Sequence, residues 1–195
     1  MPLLGLGLIY YTAAIDGFNP YLADGQKKVV RELFGLAFLF TFFIPALAAV
    51  IFKKMKLISS LHMENQHERN LPFVVTSASF LILNYILLKY FRGLIHPFLI
   101  YVVFGATLSV IAALINNFFW KISIHMMGIG GVCGMIFTLT VTHDLAFNHW
   151  LYILVVIAGF VGYSRLTLKA HTTPQVIGGF ILGVLSESIY LVWVH

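Results

Sequence analysis

The sequence predicts an all-α, polytopic membrane helix bundle with six core transmembrane helices and a short N-terminal apolar segment. Three observations carry this. The 195-residue chain is 60% hydrophobic and only 10% charged, with a mean hydropathy of +0.93, far too apolar for a soluble domain of this size. Its apolar runs approach the roughly 20 residues that cross a hydrocarbon core. No long polar region marks a second domain, so residues 1–195 read as a single integral membrane domain, with 1–32 a terminal segment and link and 33–195 the core.

Taken in order, residues 2–15 are apolar but short for a span, and read as interfacial, re-entrant or part of a tilted helix. The opening MPLLGLGLIYY lacks a positive n-region and makes a poor signal peptide. Residues 16–32 read as a polar link, with turn residues Asp16, Gly17, Asn19, Pro20 and Gly25 followed by Lys27, Lys28 and Arg31. The first span covers 33–52, uncharged, with a kink expected at Pro45. A long polar stretch, 53–71, contains KKMK and HMENQHERN. Further spans cover 72–88, 97–120, 126–142, 150–163 and 174–194, separated by short polar segments. Cys133 is the only cysteine, so no intrachain disulfide forms.

The count carries a parity argument. Two spans separate 62–72 from 121–125, and two more separate 121–125 from 164–175, so all three polar segments emerge on one membrane face. The richest of them is SRLTLKAHTTPQ, 164–175. Pro174 suits a first helical turn, with Thr172 or Thr173 as N-cap. His171 then stands at a helix N-terminus, which favours an anion. Arg165 adds a planar fork suited to phosphate, and Gln175 is four residues past His171, within reach of its ring. The plain alternative is a polar surface loop with an interfacial Arg and His.

The second segment is Lys121-Ile-Ser123-Ile-His125, with Ser123 an N-cap for the helix carrying Gly128, Gly130, Gly131 and Gly134. These glycines lie inside an apolar run without a preceding strand, so they are not a dinucleotide fingerprint. The GxxxG spacing of Gly130/Gly134 and of Gly179/Gly183 predicts close helix packing instead. The third segment is HMENQHERNLP, in which Arg69 is the strongest phosphate ligand and Glu64 and Glu68 are the only acids on this face. Asn84, Asn116 and Asn117 read as interhelical hydrogen-bonding residues. Glu187 reads as an intramembrane acid paired with Lys89 or Arg92.

Some function classes fall away. The formal charge of +5 is that of ordinary basic membrane loops and gives no reason to invoke nucleic acid. Only Asp16, Asp24 and Asp144 occur, none in a DxxxD pair, which disfavours an Asp-rich prenyltransferase. A haem protein with His125 and His171 as axial ligands remains open, as does a non-catalytic lipid-phosphate-binding or scaffold protein.

In order and spacing, the three segments resemble the type 2 phosphatidic acid phosphatase superfamily, related to acid phosphatases and vanadium haloperoxidases. That family carries Lys-x6-Arg-Pro, Pro-Ser-Gly-His and Ser-Arg-x5-His-x3-Asp. Here the third motif is Ser164-Arg165-x5-His171-x3-Gln175, with Gln for Asp. The second is reduced to Ser123-x-His125, and the first to His62-x6-Arg69, with Pro72 two positions late. The resemblance implies a membrane lipid phosphatase or phosphotransferase acting on a lipid phosphate monoester or isoprenyl diphosphate, with no metal or other cofactor. It implies that His171 is the nucleophile, forming a phosphohistidine, that His125 is the general acid, and that Gln175 orients His171. Arg165, Arg69 and Ser123 would hold the phosphate, Lys121 or Lys169 would stand in for the missing Lys, and Ser164 and His62 complete the substrate-binding set. The positive-inside count is seven to five for the motif face and ties once Arg69 and Arg165 are set aside. The resemblance alone implies an extracytoplasmic site on a bacterial inner membrane.

Overall fold

A computed structural model describes residues 24–61, 63, 65–95, 97–143 and 148–189. The apolar segment 2–15, His62, Glu64, His96, Asp144 and the end of the sixth span lie outside the described residues. Those described form helices α1 (Asp24–Phe38), α2 (Ile44–Lys54), α3 (Asn70–Ile86), α4 (Pro97–Asn116), α5 (Ile124–His143), α6 (Asn148–Thr167) and α7 (Thr173–Ser188). Short π-helical turns, Leu39–Phe43 and Leu87–Phe91, follow α1 and α3. Five helical stretches are long and apolar enough to cross a membrane: Arg31–Lys54, His67–Phe91, Phe98–Asn116, Ile124–Val141 and His149–Thr167. The described part of the sixth predicted span, α7, is 16 residues long. The protein is an all-α helical membrane protein.

The chain divides into two compact units, with the boundary between Val103 and Phe104, inside α4. In the first, helix begins at Asp24, eight residues before the link was expected to end. Lys28 and Glu32 lie one turn apart, Nζ to Oε1 3.9 Å, and the segment is rich in helix formers that outweigh Gly25. Pro45 acts as expected but by a specific device. It has no N–H to donate, and the turn before it widens: the Ile44 N–H donates to Leu39 O, five residues back. The Phe40 carbonyl accepts from Ser79 Oγ on α3 at 2.6 Å, and Thr41 Oγ1 donates to Ala37 O at 2.7 Å. Leu33, Leu83, Leu87, Phe91 and Val103 form the core of this unit. Asn84 Nδ2 donates to Phe80 O at 3.0 Å and reaches Val103 O at 3.5 Å, the interhelical role its sequence position suggested.

The second unit is organised by α5 and α7. A Cβ at Gly179 would strike Ser123 O, one at Gly183 Met127 O, one at Gly130 Phe180 O and one at Gly134 Val184 O. The contacts advance together along both helices, so α5 and α7 run parallel with their N-termini side by side. Both GxxxG pairs therefore do what their spacing predicted: glycine lets the backbones touch, and packing with weak Cα–H···O contacts of about 0.5–1 kcal/mol each holds the pair. Glu187, near the other end of α7, packs its carboxylate against Gly105, where a Cβ would lie 2.6 Å from Oε2. That oxygen is buried with no hydrogen-bond partner among the described residues. In the first unit Lys89 donates to Tyr85 Oη at 3.3 Å and lies over the Tyr85 and Tyr90 rings.

Candidate functional site

The site grows from the end of α6. Ala170 N–H donates to Arg165 O at 3.1 Å and Lys169 N–H to Leu166 O at 2.9 Å, with Lys169 in the left-handed region at φ +51°. This is a left-handed helix cap with Lys where Gly is usual. It reverses the chain and delivers His171 to the start of α7. Thr172, extended at φ −87° and ψ 162°, is the N-cap; Pro174 lies in the first turn, and Gln175 is the third helical residue.

Gln175 folds back on this corner. Its Oε1 accepts from Thr172 N–H at 3.0 Å, half of a capping box, and lies 3.3 Å from His171 Nδ1. The pair of contacts decides the ring's tautomer. A backbone N–H only donates, so the amide atom it meets is the oxygen. That oxygen only accepts, so the neutral ring carries its proton on Nδ1 and its lone pair on Nε2.

The KISIH segment joins at the same place. Ser123 N–H donates to Gln175 O at 3.1 Å, and Ser123 O accepts from Met127 N–H at 2.9 Å to start α5. Ser123 thus occupies the N-cap position, as expected, but its side chain does not cap. It is 0% exposed, and its Oγ is buried without a hydrogen-bond partner among the described residues. His125, in the first turn of α5, is exposed, whereas Lys121 is half-buried. Two parallel helix N-termini therefore lie at one end of this unit, where the helix dipoles favour an anion. Arg165 is half-buried, and its Nε is buried without a partner among the described residues. Glu187 is the only described acid from residue 104 onward. It lies fourteen residues along α7 from Thr173, about 21 Å by helical rise. Ser164 is turned away from such a role, since its Oγ donates to Val161 O of its own helix at 2.8 Å.

Arg69 belongs to the first unit. It is 9% exposed, at the end of the short 3₁₀ turn His67–Arg69, and its Nε donates to Met63 O at 3.0 Å. Glu68 Oε2 accepts from both Ser59 N–H and Ser59 Oγ at 2.9 Å. These bonds staple the 57–69 segment, a structural duty that sequence reading did not assign to either residue. His62 lies outside the described residues. Sequence reading also passed over the Thr172-x-x-Gln175 capping box, whose pattern was available as a signal. It passed over Trp120 as well, whose ring edge would meet a Cβ on Gly178 at 3.0 Å. No family model matches the chain, and neither do any curated protein or solved structure.

Proposed function

We propose that the protein is a membrane lipid phosphatase or phosphotransferase, cleaving a lipid phosphate monoester or isoprenyl diphosphate through a phosphohistidine on His171. The observation that supports this most is the pinned Gln175 oxygen 3.3 Å from His171 Nδ1, which leaves the lone pair of a helix-terminal imidazole on Nε2. In this reading Nε2 attacks phosphorus and the bond to the lipid oxygen breaks. His125 gives its proton to the departing alkoxide, then takes one from the water that cleaves the N–P bond. Arg165, Lys121 and the helix N-termini hold the phosphate oxygens and offset the charge of the transition state. Ser123 and Ser164 join the pocket only after their hydroxyls turn from their present positions. The site opens on the extracytoplasmic side of a bacterial inner membrane.

A second reading, lipid-phosphate binding without turnover, is favoured by two observations. Gln175 supplies no negative charge for an imidazolium, and Ser123 is wholly buried. One experiment separates the readings: phosphate release by purified protein over a panel of lipid phosphates and diphosphates, with acid-labile phosphohistidine trapping. Release that His171→Ala removes supports catalysis. Oxyanion binding without release from any lipid supports the binding protein, and a Soret band in the pure protein would point to haem instead.

A further inference from the structure

The turn between α4 and α5 enters the site end of the second unit and is strongly aromatic: Asn117, Phe118, Phe119, Trp120, Lys121. Phe118 is 63% exposed, Phe119 84% and Trp120 39%. Exposed aromatic rings at a helix end are common in membrane proteins, but Trp120 is held differently from its neighbours. Its Cζ3 and Cη2 lie 3.0 and 3.2 Å from where a Cβ of Gly178 would stand, so the absent side chain of Gly178 is what seats the ring. Gly178 is three residues past Gln175 on the same stripe of α7, about 4.5 Å deeper along the helix. The backbone bond from Ser123 N–H to Gln175 O fixes this strand-like approach to α7 three residues after the indole. About one turn deeper than Gln175, then, this end of the unit has a wide, partly exposed apolar wall.

We propose that Trp120, seated on Gly178, is the specificity-determining residue that holds the head-proximal part of the substrate's hydrocarbon chain. The ligand class is a phosphate ester on a long apolar chain, with the phosphate at His171 and the first methylenes across the indole face. This deepens the phosphatase reading and rests on it for the position of the phosphate. An indole ring offers a large rigid contact at little entropic cost, and each methylene it covers contributes about 0.8 kcal/mol when removed from water. A water-soluble phosphate ester gains nothing from it.

Two measurements test this. Trp120 is made the only indole by Trp150→Phe and Trp193→Phe, and the protein is placed in phosphatidylcholine nanodiscs. Brominated-chain phosphatidic acid should quench Trp120 at a lower mole fraction than brominated-chain phosphatidylcholine; equal quenching by the two overturns the proposal. In the kinetic arm, Trp120→Ala and Gly178→Ala should raise KM for a long-chain lipid phosphate about tenfold with kcat within about twofold, the effect of losing roughly 1.4 kcal/mol of binding. Trp120→Phe should keep most of the affinity, and a short-chain phosphate ester should respond to none of the three. Equal losses on long and short chains mark Trp120 as merely structural and overturn the proposal. Selective quenching by phosphatidic acid without phosphate release from any ester upholds the chain seat and defeats the phosphatase reading alone.

Discussion

The polar corner after α2 and the polar corner after α6 are built from the same parts and end differently. Each helix closes in a left-handed cap with lysine at the turning residue, Lys56 at φ +61° and Lys169 at φ +51°. In each, the following backbone N–H reaches back five residues, Leu57 to Phe52 and Ala170 to Arg165. Each corner brings an arginine. In the first unit the polar groups are spent on the loop itself: Arg69 Nε holds Met63 O, and Glu68 holds Ser59 twice. In the second, Arg165 Nε has no partner among the described residues, and the only described acid of that unit, Glu187, lies far along α7. The contrast teaches that a run of Arg, His and Glu in a membrane loop says little about binding. What matters is whether the fold has already satisfied their donors.

Exchanging parts between the corners tests that contrast. The largest effect belongs to His171→Ala, which should reduce phosphate release to background and remove any acid-labile phosphate on the protein. Retained release from the variant refutes the nucleophile assignment. Next come the arginines. Arg165→Gln should weaken vanadate binding about 10- to 100-fold, the loss of a charge-assisted hydrogen bond of roughly 1.5–3 kcal/mol, with little change in the thermal unfolding midpoint. Arg69→Gln should lower that midpoint, by about 1–3 kcal/mol of stability, because it leaves Met63 O without its donor. If the two variants destabilise alike, the corners do not differ as described.

A smaller effect sharpens the second corner alone. Gln175→Asp adds the missing charge on a side chain one methylene shorter, so turnover on a good substrate should rise. Loss of a carboxylate beside a catalytic His costs about 10⁴ in kcat in a serine protease, much of it through the wrong tautomer; with the tautomer already set, the gain here should be well below that. Nitrogen chemical shifts of His171 in wild type should report the proton on Nδ1, and a proton on Nε2 would remove the basis for this expectation. The smallest effects are those of Lys56→Gly and Lys169→Gly. Relieving a left-handed L-residue should raise stability by about 1 kcal/mol at each corner, read from unfolding midpoints. If Lys169 also steadies the phosphate, only its variant loses vanadate affinity.

Much of this was legible in the chain alone, because it depends on residues near one another in sequence. The spans follow from length and hydropathy, and the touching backbones of α5 and α7 follow from the spacing of Gly130, Gly134, Gly179 and Gly183. The shared end of the 121–125 and 171–175 segments follows from counting spans, and the His171–Gln175 contact from a four-residue step. Other features required partners that no local pattern names. Pro45 announced a disturbance, but only Ser79 on another helix decides that Phe40 O is satisfied there. Arg69 and Arg165 look alike as letters, and only the folded loop engages one Nε with Met63 and buries the other without a partner. The Gln175 oxygen faces both His171 and Thr172 because the chain reverses at Lys169, and that double contact sets the tautomer. Trp120 gained its place on α7 from a glycine 58 residues away. Sequence determines where helices form and which faces are small; the donors and acceptors left over for chemistry are settled only when distant segments have taken theirs.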